Sequence, residues 1–325
     1  MKSVHAKARR KARRIAAAAV ASGLIAGGAL ALTTTAASAA TLGSGTSYSF
    51  RTIDNPRDLT FNQLLGVNDQ GEIAGYFGSG AQGHPNKGYV IPASSGAFIN
   101  ENFPGSVQTQ VTGLNNRGIT VGFWSSMNNA NQVNDNHGFV DVGGHFRTAD
   151  FPTGSPASPP VDQLLGVNDN DVAVGFYTDA NGNNHGYEYN INTRTYRSVV
   201  DPYNMGASLQ ATAINDRGDI AGNIGSGGFL LAQGGRFITL SAPGASSTMA
   251  LGVNNDDEGV GVYTVGSGSS AQMHGFTWTP GGGFRTVDDP HGAGTTTING
   301  VNDHGQLVGF YVDANGNTDG FLATP

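Results

Sequence analysis

The chain has 325 residues, with 17 Lys and Arg against 24 Asp and Glu, 50 glycines and no cysteine. The lack of cysteine excludes disulfides, thiol catalysis and cysteine-ligated metals. Short apolar runs alternate with clusters of Gly, Asn, Asp and Pro, and signals for helices are nearly absent. These features predict an all-β protein.

The first 39 residues have the organisation of a secretory signal peptide. Seven basic residues lie within residues 1–14, an Ala-rich apolar run extends from Ile15 to Leu32, and small residues end at Ala39. We therefore predict a cleaved signal peptide over residues 1–39, one domain over residues 40–325, and a secreted, extracellular protein. The alternative is an uncleaved membrane anchor, which the weak hydrophobicity of the run disfavours.

Removal of the signal peptide changes the charge balance of the chain. Ten basic residues remain against 24 acidic ones, a net charge of −14. Because phosphate backbones repel so acidic a protein, we expect no nucleic-acid partner. No later apolar stretch is long enough for a membrane span.

A repeat organises the rest of the chain. Each of six units contains a short apolar step into Asn, and the six asparagines are Asn68, Asn115, Asn168, Asn215, Asn254 and Asn302. Their spacings are 47, 53, 47, 39 and 48 residues. A period in the forties is typical of one four-stranded blade of a β-propeller.

Each unit divides into four strands, a to d. Strand a ends at the Asn, and a type I turn with a Gly bulge follows, as in Asn68-Asp69-Gln70-Gly71. Units three and five place Asp171 and Asp257 at the Gly position, and Asp is among the few residues that tolerate a positive φ. Strand b, for example Ile73–Phe77 or Leu307–Tyr311, carries a Gly in every unit.

Strand c carries a Gly followed by an aromatic residue in every unit, as in Gly88-Tyr89. We expect each ring to lie flat on the bare backbone of the strand b Gly. Strand d is clearest in Phe146–Pro152 and Phe284–Pro290, and we expect it to end at the Pro, which cannot donate to a continuing ladder.

The two ends of the repeat array complement each other. Unit six stops after strand c, at Gly320–Pro325, whereas Phe50–Pro56 precedes unit one and resembles a strand d. The N-terminal strand is therefore expected to complete the last blade and remove the open edges. We predict a closed six-bladed β-propeller.

These residues resemble the extracellular HAF repeat family of bacterial secreted proteins. The matching pattern in unit three is Gly166-Val167-Asn168-Asp169, then Gly175-Phe176-Tyr177, then His185-Gly186-Tyr187. The resemblance covers essentially the whole of residues 40–325, although unit four lacks the long b–c loop and the His. It implies a repeat fold and export from the cell, and it implies no established activity.

Three histidines at the start of strand c, His137, His185 and His274, suggest a metal ring. Strand c is third from the axis, however, so these side chains should lie far apart. Asp150, Asp201 and Asp288 near the ends of strand d offer partners within the same blades. We interpret the three His–Asp pairs as structural, with neither a catalytic nor a metal-binding role.

The mouth of the central funnel is the expected position of a ligand site. Four glutamines, Gln63, Gln110, Gln163 and Gln210, should ring this entrance. By analogy with other propellers, such a polar mouth binds ligands. A hydrated funnel without a ligand is the alternative.

The sequence contains no nucleophile elbow, zinc-protease motif or phosphate loop. The loops at Asp179 and Asp313 loosely resemble calcium loops, but hairpin turns are the preferred interpretation. We predict no cofactor or metal, and a monomeric protein that binds a cell-surface glycan or protein. The alternative is a secreted hydrolase or lyase, in which Arg57, Asp162 and His291 converge at the funnel mouth.

Overall fold

The protein consists of six antiparallel sheets of four strands each, arranged in a ring. The structure is a computed structural model that describes residues 47–128, 134–203 and 208–325. It confirms the prediction of a six-bladed β-propeller. The predicted signal peptide, residues 1–39, lies outside the described residues. Within the described residues, no helix has the length and apolar character needed to cross a membrane.

Each blade runs from an inner strand a to an outer strand d, and blades are numbered in chain order. Blade one contains β2 (Asn62–Val67), β3 (Ile73–Phe77), β4 (Lys87–Ile91) and β5 (Ile99–Asn100). Blade two contains β6 (Gln108–Leu114), β7 (Ile119–Ser125), β8 (His137–Val142) and β9 (His145–Thr148). Blade three contains β10 (Asp162–Val167), β11 (Val172–Thr178), β12 (Asn184–Asn190) and β13 (Thr195–Ser198).

The second half of the chain repeats this arrangement. Blade four contains β14 (Leu209–Ile214), β15 (Ile220–Ile224), β16 (Gly227–Leu231) and β17 (Phe237–Leu240). Blade five contains β18 (Ser247–Val253), β19 (Gly259–Val265), β20 (Gln272–Thr279) and β21 (Gly283–Thr286), with a 3-10 turn at Gly268–Ser270. Blade six contains β22 (Thr297–Val301), β23 (Leu307–Val312), β24 (Thr318–Thr324) and β1 (Ser49–Thr52).

Blade six is assembled from both ends of the described chain. Strand β1 pairs antiparallel with β24, from Ser49 opposite Thr324 to Thr52 opposite Phe321. The Ile53 amide then donates to the Gly320 carbonyl at 2.8 Å. The predicted completion of the last blade by the N-terminal strand is confirmed.

The turns between strands a and b follow the sequence prediction. The fourth turn residue has a positive φ in all six blades, at Gly71, Gly118, Asp171, Gly218, Asp257 and Gly305. The values at Asp171 and Asp257 are 60° and 61°. Both aspartates therefore occupy the left-handed conformation that the repeat requires.

The pairing of Gly with aromatic residues across strands b and c is also confirmed. The six pairs are Gly75–Tyr89, Gly122–Phe139, Gly175–Tyr187, Gly222–Phe229, Gly261–Phe276 and Gly309–Phe321. A Cβ at Gly75 would lie 2.3 Å from the Gln63 carbonyl oxygen and 3.2 Å from the Tyr89 ring. All six rings are fully buried, so each blade is built around an aromatic side chain on bare backbone.

Strand d is shorter than the sequence suggested. Strand β9 ends at Thr148 and β21 ends at Thr286, each four residues before the Pro that was expected to end it. The chain still donates one further backbone bond, from Ala149 to Gly138. Aspartate side chains then replace the ladder, because Asp150 accepts a hydrogen bond from the Gly138 amide.

Neighbouring inner strands are in backbone contact around the axis. A Cβ at Gly66 would lie 3.2 Å from the Cα atom of Gly113, and one at Gly113 would lie 3.1 Å from that of Gly166. Each inner strand also contains a β-bulge at this level, for example between Leu64 and Gly66. Close approach of the six inner strands is the physical reason for the small residue in the repeat anchor, a reason that the sequence did not disclose.

Candidate functional site

The anchor asparagines form a closed circle of hydrogen bonds at one end of the axis. Each Asn side chain donates to the backbone carbonyl of the corresponding Asn in the next blade, in the order Asn68, Asn115, Asn168, Asn215, Asn254, Asn302 and back to Asn68. The donor–acceptor distances are 2.9 to 3.1 Å. This circle fastens every blade to the next.

A second circle is formed by the residue after each Asn. Each backbone amide donates to the side chain of the next blade, in the order Asp69, Asn116, Asp169, Asp216, Asn255, Asp303. The side-chain Nδ2 of Asn116 also donates to the carboxylates of both Asp69 and Asp169 at 2.8 Å. The two circles enclose a cavity of about 70 Å³. Their polar groups are satisfied by one another, which is a structural arrangement.

The predicted ring of glutamines does not line an open mouth. Gln63 and Gln210 are buried, with 0% and 3% exposure, and Gln63 accepts a hydrogen bond from the Tyr76 hydroxyl. Gln110 and Gln163 are half-buried and donate to Asn86 and Asn136, in the b–c segments of the preceding blades. Gln110 and Gln163 fasten loops to inner strands, whereas the side-chain amides of Gln63 and Gln210 are buried without a partner among the described residues. The four glutamines therefore do not form the exposed ring that was predicted.

Arg57, Asp162 and His291 do not converge. Arg57 donates to Asn100 of blade one, and His291 packs beside Asp289 and Tyr311 in the connection from blade five to blade six. Asp162 is buried between blades two and three. No hydrogen bond or ion pair joins any two of the three among the described residues, so the structure gives no support to an acid–base site formed by them.

Two of the predicted His–Asp pairs are present. The Nδ1 atoms of His137 and His274 lie 2.7 Å from the carboxylates of Asp150 and Asp288. The other oxygen of each carboxylate accepts the backbone amide of Gly138 or Gly275. Asn102 and Asp54 accept the equivalent glycine amides in blades one and six. Accepting the amide of the strand c Gly is therefore the contact that this position makes in blades one, two, five and six, and the His is an addition to it.

The third pairing differs from the prediction. His185 Nε2 lies 3.0 Å from Asp179 in the b–c loop, while Asp201 accepts the Tyr203 amide. The hydrogen bond from His185, together with amides of the loop, lowers the pKa of Asp179 to about 2. The Asp179 and Asp313 carboxylates each accept two loop amides, as expected of hairpin turns.

Asp162 occupies a position at which the other blades have neutral residues. A residue at or next to the start of the inner strand accepts a backbone amide from the preceding loop in five blades, and the acceptors are Asn62, Thr109, Asp162, Thr248 and Thr296. Blade four lacks this contact. The residue at its donor position is Pro202, which has no N–H, and the residue at its acceptor position is Leu209. An amide or hydroxyl is thus sufficient for this contact.

Burial shifts the ionisation of Asp162 toward the neutral form. Burial raises the pKa of Asp162 to about 7, despite hydrogen bonds from Tyr187 and the Phe151 amide. The nearby His137 forms a hydrogen bond with Asp150, and this bond raises the pKa of His137. Sequence reasoning placed Asp162 at an open mouth and missed that it is a buried carboxylic acid.

A groove crosses the outer rim where blade two meets blade three. Val140, Val142, His145, Arg147, Ile191, Asn192 and Arg194 line a volume of about 390 Å³. His145 and Arg147 lie on β9, directly opposite Val142 and Val140 of β8. Ile191 to Arg194 form the turn between β12 and β13. The lining contains three basic side chains and no acidic one.

Arg147 differs from its counterpart in blade three. Arg197 occupies the same position in β13, opposite Glu188, and donates to that carboxylate from Nε at 3.2 Å and from Nη2. Arg147 lies opposite Val140, donates to the Ile191 carbonyl at 3.3 Å, and packs over the Tyr189 ring. Its Nε–H is buried without an acceptor among the described residues. Within the part of the chain that the structure describes, Arg147 forms no ion pair with a carboxylate.

Arg194 has a backbone conformation that favours glycine. Its φ is +58°, in a turn where blades one, four and five place Gly96, Gly235 and Gly283 at positive φ. A side chain in this conformation costs on the order of 1 kcal/mol. The fold therefore does not require an arginine here. No sequence signal other than this departure from glycine could have identified the groove.

Among the described residues, no three His, Asp or Glu side chains are placed to hold a metal ion. The sequence matches no family model and no curated protein. A streptogramin B lyase structure has a TM-score of 0.49 at 10% identity, covering 85% of this chain and 98% of that chain.

Two further structures have a similar likeness. A mutant of AofleA from Arthrobotrys oligospora has a TM-score of 0.48 at 12% identity and covers 86% of this chain and 87% of its own. The Aleuria aurantia lectin has 0.42 at 11% identity, with coverages of 70% and 77%. These likenesses concern the fold alone.

Proposed function

We propose that this protein is a secreted member of the HAF repeat family that binds a partner at or outside the cell surface. Export is supported by residues 1–39, with their basic segment, apolar run and small residues at the cleavage site. Family membership is supported by the repeated anchor, turn and Gly–aromatic pattern. The binding function is supported by the distribution of polar groups over the fold.

The observation that carries the proposal is the contrast between the axis and the outer rim. At the axis, the Asn and Asp side chains form closed hydrogen-bonded circles. Gln110 and Gln163 fasten loops there, and Gln63 and Gln210 are buried. At the rim, the groove between blades two and three presents basic side chains that no carboxylate compensates. Its volume lies within the range of small-molecule sites. A rigid ring with a groove of uncompensated positive charge is suited to binding.

A hydrolase or lyase at the funnel mouth is the weaker candidate. Its support was the convergence of Arg57, Asp162 and His291, and these residues contact different blades. Asp162 retains an unusual pKa, but the Tyr187 hydroxyl and the Phe151 amide already occupy its two oxygens. A general base needs access to a substrate proton, which a buried carboxyl lacks.

A paired screen tests the proposal. Protein comprising residues 40–325 would be passed over immobilised cell-wall and extracellular polymers, and the same preparation would be assayed for hydrolysis or elimination on soluble forms of those polymers. We expect retention by at least one surface and no product release. Retention by none would contradict the binding function, and turnover of any polymer would establish the enzymatic alternative.

A further inference from the structure

We propose that the groove between blades two and three binds a compact acidic sugar, such as a single uronic acid residue, through Arg147 and Arg194. The inference rests on the proposed binding function and deepens it by naming the site and the class of ligand. Three features of the groove carry it: an uncompensated charge, an apolar wall, and an acidic surface elsewhere.

The first feature is the charge of the groove. Arg147 donates only to a neutral carbonyl, and Arg194 and His145 lie in the same lining without an acidic neighbour there. A guanidinium presents several N–H donors in a plane and matches the two oxygens of a carboxylate. A ligand carboxylate would therefore provide the counter-charge that Glu188 provides for Arg197 in blade three.

The second feature is the shape of the groove. The hairpin of β8 and β9 directs Val140 and Val142 into it beside the two basic residues of β9, and Ile191 faces them from blade three. Val142 is 42% exposed and offers an aliphatic surface to the C–H face of a sugar ring, with Val140 and Ile191 buried behind it. Asn192 adds a polar side chain to the lining, and its amide donates to the Asp171 carboxylate at 2.8 Å. The volume of about 390 Å³ is suited to one or two sugar units and not to a folded partner.

The third feature limits the length of the ligand. Residues 40–325 carry a net charge of −14, and only ten of them are Lys or Arg. A polyanion that extended beyond the groove would meet this acidic surface and be repelled. The charge distribution therefore favours a single acidic residue or a chain end over the interior of an acidic polymer.

Calorimetric titration with glucuronate, with glucose as the neutral control, tests the inference. We expect measurable binding of glucuronate that weakens with added salt, and no binding of glucose. R147A should lower the affinity for glucuronate about tenfold, as expected for loss of one charge-assisted contact. R197A, which removes the equivalent arginine of blade three, should leave the affinity within about twofold of the wild type.

Arg147 also packs on Tyr189, so the variant R147Q, which retains most of the side chain, provides a second test with the same expected loss. Thermal melts of both variants would verify folding. Equal affinities for glucuronate and glucose, or wild-type affinity in R147A and R147Q, would overturn the proposal. An acidic peptide that bound more tightly than glucuronate in an Arg147-dependent manner would also overturn the sugar assignment. If the surface screen is positive while glucuronate fails, the binding function stands and this site is wrong.

Discussion

The seam between blades two and three differs from the other seams at both of its ends. At the inner end, Asp162 is a buried carboxylic acid where four other blades use Asn62, Thr109, Thr248 or Thr296 for the same contact. At the outer end, Arg147 lacks the carboxylate that Arg197 has in blade three, and Arg194 replaces a glycine.

The six blades share one fold, so equivalent residues can be compared between them. The comparison separates the residues that the fold requires from those that are present at one seam only. The other blades show that a neutral acceptor and a turn glycine are sufficient for a stable seam, and blade three shows an arginine of strand d paired with a carboxylate. Residues that depart from this solution carry costs in desolvation, uncompensated charge or backbone strain. Such departures are where function is expected in a repeated structure.

The largest expected effect is on the free energy of unfolding, when Asp162 at the inner end of this seam is replaced by a neutral residue. Burial raises the pKa of Asp162 from its ordinary 3.8 to about 7, so the folded state retains the proton longer than the unfolded state. The contribution of Asp162 to stability is therefore fully present below about pH 4 and declines until about pH 7. The difference between the two pKa values corresponds to about 4 kcal/mol.

D162N removes this loss of stability with rising pH, because Asn has no carboxyl group to ionise. Its side-chain oxygen can accept a hydrogen bond from the Phe151 backbone N–H, as Asn62 accepts one from the Asn55 backbone N–H in blade one. Urea unfolding between pH 4 and pH 7 should show that the variant becomes progressively more stable than the wild type as pH rises. D256N, which removes an exposed carboxylate, is the control. Parallel pH profiles for D162N and the wild type would show that Asp162 titrates normally.

The second prediction places a carboxylate in the groove. Val142 is 42% exposed and lines the groove opposite His145, so V142E adds a negative charge with little loss of packing. We expect the affinity for glucuronate to fall about tenfold at low salt, because like charges near a surface oppose each other by about 1 kcal/mol or more. V265E changes a valine of similar exposure in blade five and should have no effect on affinity. Equal losses in the two variants would indicate a general charge effect and no specific groove.

The third prediction restores the glycine of the other turns. R194G should raise the free energy of unfolding by about 1 kcal/mol, since it removes the left-handed conformation of a side chain, and should also weaken glucuronate binding severalfold. Urea denaturation and calorimetry measure the two effects on one preparation. The neighbouring T193G, at an exposed position of the same turn, should not stabilise the protein. The prediction would be contradicted if R194G were less stable than the wild type and bound glucuronate with unchanged affinity.

The smallest effect is expected in blade six, which has Asp319 at the position of His137 and His274. Burial and the nearby carboxylates of Asp54 and Asp313 raise the pKa of Asp319 to about 6. Its contribution to stability is thus present below about pH 4 and lost by about pH 6. D319H would place a His beside Asp54, as in blades two and five, and should raise the melting temperature at pH 7 by roughly 2 °C. D256H serves as the surface control, and a melting temperature at or below that of the wild type would reject the effect.

Local conformation was predictable from the sequence at particular residues. The positive φ of Asp171 and Asp257 followed from their place in a turn that elsewhere has glycine. The pairing of Gly75 with Tyr89 followed from the recurrence of both residues in every unit. Local constraints of this kind depend on residues close in the chain and on a repeat that shows them six times.

Individual side-chain contacts within a blade were not predictable in the same way. Gln63 appeared to be a mouth residue, although its side chain is buried against Tyr76. His185 appeared to pair as His137 does, but the b–c loop of blade three brings Asp179 to its Nε2 atom. The Gln63 contact lies across the pair of strands β2 and β3, and the His185 contact depends on the b–c loop of blade three. The repeat spacing specifies neither side-chain partner.

The sequence by itself determined the number of blades, the turns and the closure by the N-terminal strand, because periodicity and backbone preference are local properties that recur. Only the tertiary structure decided which charges are compensated. The ionisation of Asp162 and the unpaired state of Arg147 depend on burial and on neighbours more than 20 residues away, such as Tyr187 and Ile191. Electrostatic energies depend on distance and solvent exposure in three dimensions, and neither quantity is encoded in the order of residues along one blade.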